Sequence, residues 1–117
     1  MDTLGKIEIL HSKFEQPSFP YDFYVDRRTA VGNPFELVTE KERDLVCDAY
    51  EKYFYTQRKL RHDTAFNVNI EKMYAAFKKH GQLRLFCWCA PRRCHAETIK
   101  DYMENRHGLE QLSKESV

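Results

Sequence analysis

The fold of this chain is decided by the stretch Leu83-Arg84-Leu85-Phe86-Cys87-Trp88-Cys89-Ala90-Pro91-Arg92-Arg93-Cys94-His95. Residues 83–89 are almost continuously apolar, which is typical of a strand buried on both faces of a parallel sheet. After a proline turn, apolar residues recur at helical spacing and predict a helix from about Cys94 to Arg106, with Gly108 ending it. The stretch is therefore predicted to join a central strand to a helix.

Four further elements are predicted on the N-terminal side of this junction. The patterns of residues 6–11 and 21–26 indicate two strands. Thr39 and Glu42 have the spacing of a capping box and predict the start of a helix. A second helix is predicted over residues 69–80. The order β-β-α-α-β-α favours a small α/β layer fold with an at least partly parallel sheet and flanking helices.

Length and composition favour one globular unit. The chain has 117 residues, and we expect a single α/β domain over residues 1–110 and a flexible tail over residues 111–117. A net charge of +1 creates no global field that would attract nucleic acid or an acidic membrane, so neither partner is expected. The sequence has no apolar run of membrane-spanning length and no signal-peptide pattern, which predicts a cytoplasmic protein with reduced cysteines.

Three cysteines and one histidine fall within residues 87–95 and allow more than one chemistry. A tetrahedral zinc site formed by Cys87, Cys89, Cys94 and His95 is one alternative. In a regular strand, however, Cys87 and Cys89 lie about 6.6–7 Å apart, whereas thiolates on one zinc ion must come closer. We therefore expect no metal cofactor and keep zinc as an alternative. Cys87 and Cys89 are better explained as core residues of the strand.

Two further interpretations concern the start of the predicted helix. A helix N-terminus and neighbouring arginines favour the thiolate of a cysteine, so Cys94 is a candidate nucleophile. The first-turn amides are also free donors at the positive end of the helix dipole, and Arg92, Arg93 or His95 would assist a phosphate bound there. Anion binding is the interpretation that we prefer, because it needs no unusual geometry.

A second group of candidate residues follows the strand predicted at 21–26. The loop Gly32-Asn33-Pro34-Phe35 offers close backbone approach at its glycine and an amide that can hydrogen-bond a sugar, a base or a phosphate. If this strand and the strand at 83–89 are parallel, both loops emerge at the carboxyl edge of one sheet, where ligands of open α/β sheets bind. Such an arrangement would bring together Arg27, Asn33, Arg92 and His95.

Two carboxylates lie close to these loops in the sequence. Asp26 ends the second predicted strand, and Glu97 lies in the first turn of the last helix. Either is suited to act as a general base or to bind a ribose hydroxyl. Together with Cys94 they are the candidate catalytic residues, and the candidate ligand-binding residues are Arg27, Gly32, Asn33, Pro34, Arg92, Arg93 and His95.

The segment 24–27, the Gly-Asn-Pro-Phe loop and the junction 87–96 together resemble domain-of-unknown-function family 4326, a family of small bacterial and phage proteins. Its pattern combines an arginine after the second strand, that loop, and a Cys-x-Cys-x-Pro-x-x-Cys-His junction. Asp26 stands where the pattern has a glycine. The resemblance implies a Rossmann-like fold, and a distant similarity to nucleotide-binding "lonely guy" phosphoribohydrolases and to DNA-processing protein A.

These observations predict that the protein binds a nucleotide or another phosphorylated small molecule at the carboxyl edge of the sheet. Some of the similar enzymes cleave N-glycosidic bonds of nucleotides, so hydrolysis of that bond is the reaction expected if the protein is an enzyme. The first alternative is a non-catalytic, phage-type module that sequesters a signalling nucleotide or a host protein in the cytoplasm of a bacterial host cell. A small zinc-binding domain is the second alternative.

Overall fold

The computed structural model describes residues 5–90 and 92–115, and it has the small α/β architecture that the element order predicts. The predicted proline turn at Pro91 and residues 116–117 of the predicted tail lie outside the described residues. The elements are β1 (Lys6–His11), β2 (Asp22–Tyr24), one turn of 3₁₀ helix (Glu40–Glu42), α1 (Arg43–Arg58), α2 (Ala65–His80), β3 (Gln82–Cys87) and α3 (Ala96–Glu115).

The three strands form one parallel sheet in the order β1-β3-β2. Ile7 is opposite Leu83 in the first ladder, and Phe23 is opposite Leu85 in the second. The side chains of Leu83, Leu85 and Phe86 are fully buried, as expected for a central strand covered on both faces. Because all three strands run the same way, their carboxyl ends lie at one edge of the sheet.

Capping residues explain where the first two helices begin and end. Thr39 and Glu42 form the predicted capping box, and the chain passes through the 3₁₀ turn into α1. The side chain of Thr64 accepts a hydrogen bond from the Asn67 amide at the start of α2. Gly81 ends α2 in a left-handed conformation, with φ of 71°, which glycine adopts without a steric penalty.

Aromatic side chains dominate the core between the sheet and the helices. Tyr50 and Phe54 of α1 and Phe66 of α2 are buried, and the Phe54 ring contacts the Phe66 ring edge-on with centroids 5.4 Å apart. The hydroxyl of Tyr50 donates a hydrogen bond to the carbonyl oxygen of Val31 at 2.7 Å. This bond attaches α1 to the loop after β2, so the core also positions that loop.

Four of the predicted elements have boundaries that differ from those in the structure. β2 is shorter than residues 21–26, and β3 ends at Cys87, before Cys89. α2 begins earlier than predicted, at Ala65. α3 starts at Ala96 and does not end at Gly108, because it continues to Glu115, so residues 111–115 of the predicted tail are helical.

The helix α3 has 20 residues and is the longest in the described chain. The salt bridge between Arg106 and Glu110 spans Gly108 at i, i+4 spacing, and Glu110 also reaches Lys78 of α2. These pairs support the helix beyond its glycine. Among the described residues, no helix combines the length and the apolarity needed to cross a membrane.

Candidate functional site

A cavity of about 490 Å³ lies where the ends of β2 and β3 meet the first turns of α1. Its volume falls within the range of small-molecule sites, roughly 300–1,000 Å³. The two loops singled out in the sequence meet here because β2 and β3 are parallel neighbours. The cavity is lined by Asp26, Arg27, Arg28, Asn33, Phe35, Leu37, Arg43, Val46, Cys47, Trp88, Cys89, Cys94 and His95.

Asp26 lies at the rim of the cavity with both carboxylate oxygens hydrogen-bonded. Arg28 donates from Nε to the carboxylate at 2.9 Å, and its guanidinium also stacks on the Tyr24 ring at 3.6 Å from the centroid. The indole Nε1 of Trp88 donates to Oδ2 of Asp26 at 3.0 Å. Asp26 is thus a fixed carboxylate that connects the ends of β2 and β3.

Arg27 and Asn33 organise the loop that follows β2. Arg27 donates from Nε to the Asn33 carbonyl oxygen at 3.2 Å and from Nη2 to the Phe35 carbonyl oxygen at 3.3 Å. The Asn33 side chain accepts the Phe35 amide at 2.9 Å, closing an Asx turn. Among the described residues no carboxylate pairs with Arg27, so its charge faces the cavity without a counter-ion.

Two predicted loop residues lie beside the cavity and do not line it. Gly32 is buried, and a Cβ built on it would lie 2.4 Å from the Asp26 carbonyl oxygen. The absence of a side chain at Gly32 therefore permits close packing of the loop against the end of β2. Pro34 is exposed and lines a neighbouring shallow depression with Phe35 and Val46.

The structure corrects the expected role of Arg92 and Arg93, because both side chains are paired with carboxylates near the start of α1. Arg92 contacts Glu40 at 2.8 Å. Arg93 contacts Asp44 at 3.0 Å and Asp48 at 2.8 Å. Neither arginine lines the cavity, and their charges are compensated on the surface. They attach the β3–α3 loop to α1 instead of holding a ligand there.

The anion site expected on the first turn of α3 is not available in the structure, because these amides already have partners. The Ala96 amide donates to Cys94 Sγ at 3.3 Å. The Glu97 amide bonds the Cys94 carbonyl oxygen, and the Thr98 amide bonds the His95 carbonyl oxygen, both at 3.0 Å. The helix start is thus capped by its own chain.

Glu97, a candidate catalytic residue, lies away from the cavity. It lines a separate depression beside Ile7 and Lys100, next to β1. Among the residues that line the main cavity, Asp26 is the carboxylate. The geometry therefore retains Asp26 as a candidate base for this cavity and does not bring Glu97 to it.

Three thiols lie around the end of β3 and the start of α3, and Cys89 and Cys94 line the cavity. Cys87 is fully buried at the end of β3 and Cys94 is 3% exposed, whereas Cys89 is partly exposed. The neighbouring thiols of Cys87 and Cys89, together with burial, raise the pKa of Cys94, which argues against this residue as the attacking nucleophile. The Cys94 hydrogen bond and then Arg43 lower the pKa of Cys89 despite its partial burial.

Among the described residues, no group of three or more His, Cys, Asp or Glu side chains is arranged to hold a metal ion. The alternative zinc set of Cys87, Cys89, Cys94 and His95 therefore gains no support from the geometry. The Nε2–H of His95 is engaged by the carbonyl oxygen of Val25, which removes that nitrogen as a ligand.

His95 forms the inner wall of the cavity and is 8% exposed. Its ring meets the Tyr50 ring edge-on, with centroids 4.9 Å apart. Burial lowers the pKa of His95, so the neutral ring is favoured. With the proton on Nε2 and donated to Val25, Nδ1 is the acceptor nitrogen of this tautomer.

Arg43 and Trp88 are cavity residues that the sequence reasoning did not assign to the site. Arg43 pairs with Glu40 at 2.7 Å and donates to the Arg93 carbonyl oxygen at 2.9 Å. One signal for Arg43 was present: α1 directly follows the loop after β2, so its first turn has to start near the carboxyl edge. Trp88 is 54% exposed at the rim.

Comparison with known proteins identifies the family and nothing beyond it. A family model described as a domain of unknown function (DUF4326) matches residues 9–105. No curated protein and no solved structure matches the chain. The match covers the strands from Ile9 onward, the cavity and most of α3, so every residue that lines the cavity lies inside the matched region.

Proposed function

The chain belongs to the DUF4326 family, whose description assigns no activity, and from that premise we propose that it binds a nucleotide or a nucleotide-like phosphorylated small molecule in the 490 Å³ cavity. The observation that carries the proposal is the meeting of the Asn33 loop and the Cys-His junction at the carboxyl edge of a parallel sheet. Ligands of open α/β sheets bind at this edge.

Charge favours the region around Arg27 for the phosphate. Arg28 and Arg43 also line the cavity, but Arg28 is paired with Asp26 and Arg43 with Glu40. The Arg27 guanidinium bonds only backbone carbonyl oxygens, those of Asn33 and Phe35, and no carboxylate among the described residues compensates its charge. A phosphate at this point would receive charge-assisted hydrogen bonds, which are stronger than neutral ones.

The apolar side of the cavity is suited to a flat ring. Phe35, Leu37 and Val46 contribute apolar side chains to the lining, and the Trp88 indole, hydrogen-bonded to Asp26, contributes an aromatic ring. Aromatic rings stack on nucleobases with little regard to base identity. Nδ1 of His95 and Oδ1 or Nδ2 of Asn33 supply polar groups for the sugar between the phosphate and the base.

Hydrolysis of the N-glycosidic bond is the reaction that this arrangement suits best. In that reaction the Asp26 carboxylate takes a proton from water, and the water oxygen bonds to the anomeric carbon of the ribose. The carbon–nitrogen bond breaks, the base leaves with the bonding electrons, and it takes up the proton that Asp26 removed from the water, which returns Asp26 to its carboxylate form. The second candidate function is sequestration of the same ligand without turnover. It is favoured by the pairing of Asp26 with Arg28 and Trp88, which occupies the proposed base.

Binding is tested by thermal unfolding with a panel of nucleosides and their mono-, di- and triphosphates. Phosphorylated members should raise the melting temperature, since a ligand at one hundred times its Kd adds about 2.7 kcal/mol to the free energy of unfolding. Nucleosides without phosphate should not. Arg27→Gln should abolish the shift, whereas Arg61→Gln, on an exposed and paired arginine, should keep it. If no phosphorylated compound shifts melting, or Arg27→Gln responds like the wild type, the proposal fails.

Turnover separates the two candidate functions. Incubation of the bound nucleotide with the protein, followed by chromatography, should release free base if the protein is a hydrolase. Asp26→Asn should then stop release while retaining the thermal shift. Binding without release of base would instead identify a sequestering module.

A further inference from the structure

The three thiols differ in exposure to the solvent, because one is accessible while its two neighbours are buried. This difference points to a function other than ligand binding. Cys89 lines the main cavity and also a second cavity of about 320 Å³, which is lined on its other side by His11 and Phe14. Cys87 is fully buried, and Cys94 lines the main cavity but is only 3% exposed. A small reagent can therefore approach Cys89 from either cavity, whereas Cys94 offers it much less surface.

The surroundings of Cys89 favour a nucleophilic sulfur. Cys94 and Arg43 line the same cavity as Cys89, and both lower the pKa of the Cys89 thiol. A thiolate is stabilised by a cation and by hydrogen-bond donors. Cys47 provides a contrast within the same cavity, because burial raises the pKa of its thiol.

We propose that Cys89 is the attacking thiol of a dithiol site that exchanges with small-molecule disulfides, and that Cys94 is its resolving partner. In the first step the Cys89 thiolate bonds to one sulfur of the disulfide R–S–S–R and releases R–S⁻. In the second step Cys94 loses its proton to R–S⁻ and attacks the Cys89 sulfur, releasing a second R–S⁻. The protein loses two electrons and two protons, and the disulfide becomes two R–SH after protonation.

The position of Cys94 fits the resolving role. Cys94 lines the main cavity together with Cys89 yet is only 3% exposed, and its Sγ accepts the Ala96 amide at the start of α3. Cys89 lies beyond the end of β3, where no sheet ladder restrains its backbone. Closure of a bond between them would therefore alter the β3–α3 loop and leave the sheet pairing intact.

The experiment treats the fully reduced chain with bis(2-hydroxyethyl) disulfide and follows intact mass and peptide maps over time. The wild type should form a product two hydrogens lighter, with the new bond mapped to Cys89 and Cys94. Cys94→Ser should stop at a mixed disulfide on Cys89. Cys89→Ser should slow the reaction at least about tenfold.

A measurement on the wild type alone guards against variants that fail to fold. Brief labelling with iodoacetamide, quenched and mapped by mass spectrometry, should modify Cys89 at least about ten times faster than Cys47. Equal labelling of the two residues would overturn the proposal, and so would a disulfide that maps to Cys87 and Cys94. Wild-type reaction rates in a folded Cys89→Ser variant would also overturn it.

Discussion

The indole Nε1 of Trp88 donates a hydrogen bond to the Oδ2 atom of Asp26 at 3.0 Å, joining two residues that are 62 positions apart in the sequence. Asp26 follows β2, and Trp88 follows β3. The bond therefore connects the two loops above the cavity and places the indole at its rim. The indole is thus one of the side chains that a ligand in the cavity can contact.

Trp88 is the single tryptophan of the chain, so its fluorescence reports on the cavity. We expect the emission of Trp88 to change in intensity or wavelength as a bound nucleotide replaces water around the indole, and the change should saturate with ligand. Titration at fixed protein concentration measures this, with free N-acetyltryptophanamide as the control for absorption by the ligand. A nucleotide that raises the melting temperature without altering Trp88 emission would place the ligand elsewhere.

Gly32→Ala should destabilise the protein and displace the loop after β2. The added Cβ would lie 2.4 Å from the Asp26 carbonyl oxygen and 2.7 Å from Arg27 Cα, so the backbone has to move. A loss of about 1–3 kcal/mol in the free energy of unfolding is expected by urea denaturation, as for other overpacked sites. Gly108→Ala is the matched control, because its Cβ meets open space in α3 and should stabilise by about 0.5–1 kcal/mol. Equal effects of the two substitutions would contradict this account.

Arg93→Ala should change stability slightly and leave nucleotide affinity unchanged. Its guanidinium bridges Asp44 and Asp48 on the surface of α1, and such exposed pairs contribute about 0–1 kcal/mol. Urea denaturation and a fluorescence titration measure the two properties in one variant. A large loss of affinity would show that Arg93 reaches the ligand after all.

His95 should make the protein less stable as the pH falls through the ordinary histidine range. Burial lowers the pKa of folded His95 below 6.5, so below about pH 6.5 the unfolded chain binds a proton that the folded chain does not. The free energy of unfolding should decrease below that pH and level off below the folded-state pKa. His95→Gln, which retains a donor for the Val25 carbonyl oxygen, should flatten this dependence, whereas His62→Gln on the exposed connection should not. Urea denaturation at about pH 5.5 and about pH 7.5 measures this dependence. If the wild type and His95→Gln lost equal stability between the two pH values, the assignment to His95 would be contradicted.

The sheet and the place of the site could be predicted because their signals are local. Alternation at 6–11 and continuous apolarity from Leu83 onward defined β1 and the central β3, and parallel pairing then placed both loops at one edge. Arg27, Asn33 and His95 line the cavity for that reason. The strand patterns located the two loops, and the parallel pairing of β2 with β3 brings them to one edge.

The pairings inside the site could not be predicted, because they depend on contacts between distant residues. Nothing near Arg92 or Arg93 in the sequence indicates the carboxylates of Glu40 and α1 that neutralise them. The distance argument for Cys87 and Cys89 assumed a regular strand through both residues, whereas β3 ends at Cys87 and Cys94 reaches both sulfurs. Gly108 was interpreted as a helix end, but ion pairs across it support the helix.

β3 occupies the middle of the sheet yet follows the other strands in the sequence. Lys6 of β1 therefore cannot pair until Gln82 is present, and Asp22 of β2 cannot pair until Arg84 is present. During synthesis on the ribosome, β1 and β2 therefore emerge without partners, and the sheet forms once residues 82–87 have left the exit tunnel. Pairing over such long sequence separations slows folding compared with helical proteins of similar size. The loops after β2 and β3 consequently come together to line the cavity only once β3 has paired. A nascent chain that lacks β3 does not form the cavity.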